Sequence, residues 1–267
     1  MYKYYCVNAQ KGVCIVTVDE RYNEILNLLL KHKKLRSKET AHLLNVSFET
    51  IRRDFEALEL QGKLKRVHGG AEYIEPKSDV EKNFIERENL YAEEKKEIAR
   101  KATQFVKEGM SIALDVSTTN TAIARRLARK FNRLTIITNS LPIIEIVAKI
   151  TTFTVIVPGG VLYNQERCII GDVAIEHISK YNIDLFFMSL SGIDMHKGFT
   201  DYGMEEVKIK KAFRARAQTV VAVADHSKFD NVSLIHLGDD QLCDVIISDE
   251  RLAENIKEKY ASKYKII

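Results

Sequence analysis

Apolar residues recur at helical spacing near the start of the chain and in solid blocks after it, and that change of pattern divides the sequence. Phe48, Ile51, Phe55 and Leu58 return every three or four positions, as on one buried helix face. Ala41 and Leu44 give the inward side of a shorter helix before them. Ser37 and Ser47 stand where N-cap residues stand, each able to accept an orphan backbone N–H. The two patterns lie either side of Asn45-Val46, and so short a turn sets two helices at a steep angle. The pattern predicts a helix-turn-helix, its second helix presented to the DNA major groove. Gly62 is expected to close that helix. Lys63, Lys65 and Arg66 then alternate with Leu64 and Val67, a strand with one basic face, and Gly69-Gly70 turns it back into Ala71-Glu72-Tyr73. A basic hairpin in that place reads as the wing of a winged helix.

From residue 110 the period changes. Residues 111–115, 134–138, 153–157, 184–190, 219–224 and 244–248 are short apolar runs, with helical patterns at 122–130 and 141–149. Strands this uniformly apolar are buried on both faces, so they belong to a parallel sheet covered by helices. The expected class is α/β: a small N-terminal winged helix-turn-helix domain and a larger C-terminal α/β domain with a mostly parallel sheet. Residues 1–18 read as a disordered extension or a mis-assigned start, 19–74 as the winged helix and 91–267 as the α/β domain. Residues 75–90, with Pro76, many charges and little apolar period, read as a linker. A helix from about Tyr91 carries Ile98, Ala102, Phe105 and Val106 on one face and stops at Gly109.

Composition narrows the class. A chain of 267 residues with 45% hydrophobic content suits two globular domains, and no stretch is long and apolar enough to cross a bilayer. Cys6, Cys14, Cys168 and Cys243 show no Cys-x-x-Cys spacing, so neither a zinc site nor a redox pair is indicated, and a cytoplasmic location is expected. Charge is more telling in its placement than in its sum. Between Lys31 and Gly70 ten lysines and arginines face five carboxylates, an excess larger than the +4 of the whole chain.

The second helix has suitable chemistry for DNA. Its first turn carries Phe48, Glu49 and Thr50 at the positive end of the helix dipole, followed by Arg52 and Arg53. An arginine fork can grip a phosphate or the edge of guanine. With the caps and wing, the candidate DNA-contacting residues are Ser37, Ser47, Phe48, Glu49, Thr50, Arg52, Arg53, Lys63, Lys65, Arg66, His68 and Gly69. The plainer alternative is a basic amphipathic helix that is only a solvated face. Asp54 reads as structural, orienting or pairing with a neighbouring arginine.

In the second domain polar residues follow the strands: Asp115 with Ser117, Thr118 and Thr119; Thr138 with Asn139 and Ser140; Gly159-Gly160; Gly192 with Asp194; Asp225 with Ser227 and Lys228. In an open parallel sheet the carboxyl ends of the strands form the ligand crevice. Hydroxyls, helix-start N–H groups, glycines and a lysine suit a phosphate, and Asp115 and Asp225 can accept from sugar hydroxyls. The ligand expected is a small phosphorylated sugar or polyol. Each element also has a local reading: Asn139-Ser140 as a helix cap, Asp225-His226-Ser227 as a turn, Gly159-Gly160 as a bend.

The run Ser47-Phe48-Glu49-Thr50-Ile51-Arg52-Arg53-Asp54-Phe55, with Leu58, Gly62 and Arg66-Val67-His68-Gly69-Gly70-Ala71, resembles the N-terminal signature of the DeoR family of bacterial transcription regulators. The resemblance spans about 55 residues, from Glu20 to Ile74, and residues 1–18 have no counterpart in it. It extends through Thr138-Asn139-Ser140-Leu141, Pro158-Gly159-Gly160, Gly171, Gly192-Ile193-Asp194, Gly198-Phe199-Thr200, Glu205-Glu206, Lys210 and Asp225-His226-Ser227-Lys228-Phe229 to the family's effector domain, which is similar to ribose-5-phosphate isomerase. It implies a ligand-controlled regulator, a repressor of a sugar or polyol operon, binding operator DNA as a homodimer or homotetramer. It also implies effector contacts at Asp115, Ser117, Thr118, Thr119, Asn139, Ser140, Gly160, Gly192, Asp194, Glu206, Lys210, Asp225 and Lys228. No catalytic residue, metal or cofactor is expected. The sequence departs from the family pattern where Ser117 replaces a glycine, and where no arginine follows Gly160 until Arg167. Two alternatives stand beside this reading. One is an isomerase-like enzyme using Asp115, Glu206 and Lys228 as acid–base groups. The other is a ligand-blind architectural DNA binder.

Overall fold

The computed structural model describes residues 18–60, 63–73, 84–238 and 242–267. The chain divides into two compact units at residues 79/80, each with its own apolar core. Gly62, the predicted helix stop, lies outside the described residues, as do residues 1–17 and 74–83.

In the first unit α1 (Val18–His32) leads into β1 (Lys34–Arg36), α2 (Ser37–Leu43), α3 (Phe48–Leu60), β2 (Lys65–Val67) and β3 (Gly70–Glu72). The expected helices and wing are present, and β1 adds a strand the sequence pattern had not marked, giving the antiparallel order β1-β3-β2. Ile51, Phe55 and Leu58 of α3 pack with Ile25 and Leu29 of α1, and Ala41 with them. Phe48 departs from the expected stripe and is exposed, because it opens α3 at its solvent end. Ser37 also differs from expectation. It is the first residue of α2, not its cap, and its buried N–H donates to Gly69 O at 2.9 Å. Gly70 passes so close to β1 that a Cβ there would lie 2.0 Å from Leu35 O, which only glycine permits. Asp54 is structural, as expected, but its partner is on another helix. Arg21 of α1 donates through Nε to Asp54 Oδ2 at 2.5 Å and through Nη2 to Oδ1 at 2.9 Å, both residues being buried.

The second unit begins earlier than the sequence suggested. Residues 84–89, expected in the linker, form α4 (Phe84–Asn89), with Phe84 buried against Val116 and Cys168. A single apolar anchor in six residues leaves no period to detect. There follow α5 (Ala92–Ala102), β4 (Ser111–Leu114), α6 (Thr118–Lys130), β5 (Thr135–Thr138), α7 (Leu141–Val147), β6 (Thr154–Ile156), β7 (Val161–Tyr163), β8 (Cys168–Ile170), α8 (Asp172–Ile178), β9 (Ile183–Ser189), β10 (Gly192–Asp194), β11 (Gly198–Asp201), α9 (Met204–Arg216), β12 (Ala217–Val223), β13 (Ile235–Gly238), β14 (Val245–Ile247) and α10 (Glu254–Ala261).

The main sheet has the order β14-β12-β9-β4-β5-β6, and every neighbouring pair is parallel. Alternate side chains face two cores. Leu114 and Phe187 pack with Ile98, Ile123 and Ile143 of α5, α6 and α7. Ala113 and Phe186 pack with Ile178, Phe213 and Tyr260 of α8, α9 and α10. The hairpin β7-β8 and the small antiparallel sheet β10-β11-β13 lie outside the main sheet. From β4 the chain builds outward through β5 and β6, then returns to place β9 on the other side of β4. The carboxyl ends of β4 and β9 therefore flank the reversal point, where open sheets of this kind leave a crevice.

Replacing Asp54 by alanine takes from Arg21 its buried carboxylate. The expected loss is about 3 kcal/mol, read as a lower urea midpoint by circular dichroism. An unchanged midpoint would contradict this account of the α1–α3 packing.

Candidate DNA-binding face and effector crevice

Six of the predicted DNA-contacting residues cluster at the start of α3. Ser47 caps the helix: its Oγ accepts from Thr50 N at 3.0 Å and shares a hydrogen with Thr50 Oγ1 at 2.8 Å. Arg52 donates through Nε and Nη2 to Glu49 at 2.9 and 2.8 Å and lies 3.6 Å from Glu56. Arg53 reaches Glu49 at 3.3 Å and its side chain is 75% exposed. Arg52 first, and Arg53 after it, hold the Glu49 carboxyl down to about 2. Glu49 thus keeps two forks extended along the exposed face beside Phe48, a carboxylate that DNA phosphate can replace. On the hairpin, Lys65, His68 and Gly69 are exposed and Lys63 is half-buried. Arg66 is braced on Glu59, which accepts its N–H at 2.8 Å. Ser37 lies beneath this surface, buried and bonded to the wing turn.

In the second unit the reversal point holds a buried ion cluster. Asp115, just after β4, accepts at Oδ1 from Asn120 Nδ2 (2.6 Å) and at Oδ2 from Ser189 N (3.0 Å). Lys210 of α9 lies 3.1 Å from Asp115 and 2.7 Å from Asp201, and donates to Ser189 O and Oγ at 2.8 and 2.7 Å. Burial alone would discharge this ammonium, but Asp115 and Asp201 outweigh it and raise its pKa. Burial likewise opposes the Asp201 carboxylate, yet Lys210, Ser191 and the Tyr202 N–H hold its pKa below the usual range. Glu206, one turn before Lys210 on α9, has its carboxyl pushed up to about 7 by burial and by the charge of Asp201. Gly203 makes room for it: a Cβ there would lie 2.4 Å from Glu206 Oε1.

The remaining candidates differ in character. Ser117 caps α6, accepting from Asn120 N at 2.9 Å, with an extended backbone (φ −168) that any residue adopts, so the departure from glycine strains nothing. Thr118 and Thr119 are buried in the first turn of α6. Asn139 donates to Ile169 O at 3.0 Å, while its Oδ1 and the Ser140 Oγ are buried without a partner. Ser140 stands at the N-cap of α7 but makes no side-chain cap, contrary to the local reading. Gly160 and Gly192 are demanded by packing, since a Cβ on either would come within 2.5 Å of Ile170 O or Asn231 O. Asp194 shapes the β10–β11 turn, accepting from the N–H groups of His196 and Lys197 at 2.9 Å each. Asp225 is buried and accepts from Ser227 N at 3.0 Å, the turn expected of it. Lys228 is half-buried beside it.

The structure thus brings Asp115, Lys210 and Glu206 into one buried cluster at the strand reversal and leaves Asp194 in a turn. Sequence reasoning missed Asp201, Ser189 and Ser191, which complete the cluster, and Arg87, Glu166 and Lys95 around it. Asp201 sits at the end of a short strand beside the Gly198-Phe199-Thr200 motif, which was the one signal available. Among the described residues no cluster of His, Cys, Asp and Glu suits a metal, and no helix is long and apolar enough to cross a membrane.

Comparison with known proteins agrees across both units. A family model described as the DeoR-like helix-turn-helix domain matches residues 21–77, and one described as the DeoR C terminal sensor domain matches residues 91–250. The glycerol-3-phosphate regulon repressor of Escherichia coli K12 is 31% identical over 230 residues, covering 86% of this chain and 90% of the relative. The L-fucose operon activator of the same strain is 35% identical over 232 residues, covering 86% and 95%. Ribose 5-phosphate isomerase A of Methanocaldococcus jannaschii superposes on 52% of this chain and 55% of its own, at 16% identity and a TM-score of 0.39.

The raised Glu206 carboxyl sets a pH dependence. The unfolded chain releases this proton near 4.5 and the folded protein near 7, so its stabilisation is complete below pH 4.5 and lost as pH rises through 7. Glu206→Gln removes that slope. In urea unfolding at pH 5 and pH 8, the variant is expected to gain on the wild type by up to roughly 3 kcal/mol at the higher pH. A difference between the two proteins that does not change with pH would count against the buried carboxyl.

Proposed function

This chain belongs to the DeoR family of transcription regulators, and from that premise we propose that it represses a sugar or polyol catabolic operon. Its operator affinity is set by a phosphorylated sugar or polyol bound in the C-terminal unit. The observation that carries this reading is the joining, in one chain, of a capped helix with exposed arginine forks and an α/β unit with a buried charge cluster at its strand reversal.

The N-terminal turn of α3 enters the major groove, Arg53 reaches a phosphate or guanine edge, and Arg52 exchanges Glu49 for DNA. The wing lysines add phosphate contacts that fix orientation without reading sequence. In the sensor unit, carboxylates accept from sugar hydroxyls. The effector shifts operator binding because its affinity differs between the DNA-competent and incompetent states. A homodimer or homotetramer matches repeated half-sites, and action on operator DNA places the protein in the cytoplasm. A sensor fits better than an enzyme does: Asp115, one of the three acid–base groups the isomerase-like alternative would use, is already engaged by Asn120, Ser189 and Lys210.

The test is binding to the DNA upstream of the gene cluster that encodes the protein, at fixed salt, with and without sugar phosphates. Arg52→Ala and Arg53→Ala are each expected to weaken operator binding by about tenfold without unfolding the protein. Operator affinity unchanged in both would remove α3 as the reading helix. Lys228→Ala is expected to spare DNA binding and blunt the effector response; a full response would move the phosphate site away from β12.

A further inference from the structure

We propose that Arg87 of α4 grips the anionic group of the effector, exchanging its present partner Glu166 for a phosphomonoester. This rests on the reading of the C-terminal unit as a sensor of phosphorylated sugars.

Beyond Lys228, the strand ends are short of available cations. Lys210 has three N–H groups and is surrounded by Asp115, Asp201 and both oxygens of Ser189. Arg167, the first arginine after Gly160, pairs with Glu145 at 2.8 Å. Lys95 is spent on the backbone, donating to the carbonyl oxygens of Arg87 and Leu90. Lys228 lies at the end of β12, where Asp225 and Lys95 are its charged neighbours.

Arg87 is differently placed. Its Nη2 pairs with Glu166, and its Nε is buried with no hydrogen-bond partner. Its guanidinium lies 5.8 Å from the centre of the Phe84 ring, and Phe84 packs on Val116, the residue after Asp115, and on Cys168. The helix beneath it is pinned by the two Lys95 bonds and by the Glu88–Arg125 pair to α6. The fork is therefore held in place before any ligand arrives.

Its surroundings are prepared for a polar ligand. Cys168 bridges Ser140 in backbone pairing, and Ile169 N donates to Asn139 O at 2.8 Å. Ser140 Oγ and Asn139 Oδ1 on that same stretch are fully enclosed and unpartnered, one able to donate to phosphate and the other to accept from a hydroxyl. Burial disfavours the charge of Glu166 and Asp201 repels it, while Arg87 holds it in place. A phosphate dianion offers Arg87 a bidentate partner of greater charge.

The experiment is calorimetric titration of the full-length protein, and of its Arg87→Gln and Glu166→Gln variants, with glycerol 3-phosphate, ribose 5-phosphate, fructose 6-phosphate and inorganic phosphate. Thermal unfolding checks that each variant folds. For a compound that binds the wild type, Arg87→Gln is expected to weaken binding by about tenfold or more, and Glu166→Gln to tighten it about threefold. Affinities within about twofold of wild type in both variants overturn the role of Arg87 and leave the sensor reading standing. Should Arg87→Gln not fold, unchanged affinity in Glu166→Gln overturns it alone. If the wild type binds none of the four compounds, the sensor reading itself falls, and the role of Arg87 with it.

Discussion

A lysine held in the protein interior between two carboxylates organises the carboxyl end of the central sheet. Removing an ammonium from water costs several kcal/mol unless its charge and its hydrogens are all met. Lys210 meets that condition through Asp115 after β4, Asp201 at the end of β11 and Ser189 at the end of β9. One side chain thereby ties α9 to three strands on both sides of the chain reversal. The crevice there is shaped by the strand order, but its charges are fixed in position by this cluster. The N-terminal unit uses the same device more simply. Arg21 and Asp54 join α1 to α3, so the helix presented to DNA is oriented by a buried pair while its outer face stays polar.

What was legible in the sequence follows from where burial leaves a period. The six main-sheet strands are apolar on both faces, so their existence and their parallel pairing could be read directly. The wing was legible through Gly69-Gly70 and the alternating bases, and the α3 cap through Ser47. Ser37 misled because a serine before a helical pattern looks like a cap whether it precedes the first turn or opens it. Its buried N–H is instead taken by Gly69 O, a contact across more than thirty positions that no local pattern carries. The hairpin β7-β8 escaped because Val161, Leu162 and Tyr163 are all exposed and do not alternate. Helix α4 escaped because one buried phenylalanine fixes it.

The site was less legible than the fold, for a related reason. Asp115 was legible from its place at the end of a strand, whereas Glu206 and Lys210 were found through a family pattern. Asp201 and Ser189 enter the cluster only because β9 and β11 end beside Lys210. The glycines at 160 and 192 taught a different lesson: both are required, yet the atoms that require them are the Ile170 carbonyl of β8 for one, and the Asn231 carbonyl and Thr200 hydroxyl for the other, rather than a ligand. A residue type suited to ligand approach is equally suited to tight packing, and only coordinates separate the two.

The charge pattern of the crevice constrains what it can recognise. Asp115, Asp201, Glu206 and Glu166 outnumber Lys210 and Arg87, so a bare anion entering the centre would meet repulsion. A neutral polyol would find acceptors there but would gain nothing from Arg87. The arrangement suits a molecule with two ends, hydroxyls toward the carboxylates and an anionic group toward the α4 side. Glu206 moderates the balance: with its carboxyl near 7 it is partly protonated at neutral pH, and in that state it donates as well as accepts. On the proposed reading, a phosphorylated sugar is selected less by any one contact than by the separation of acidic and basic groups across a crevice whose positions Lys210 holds fixed.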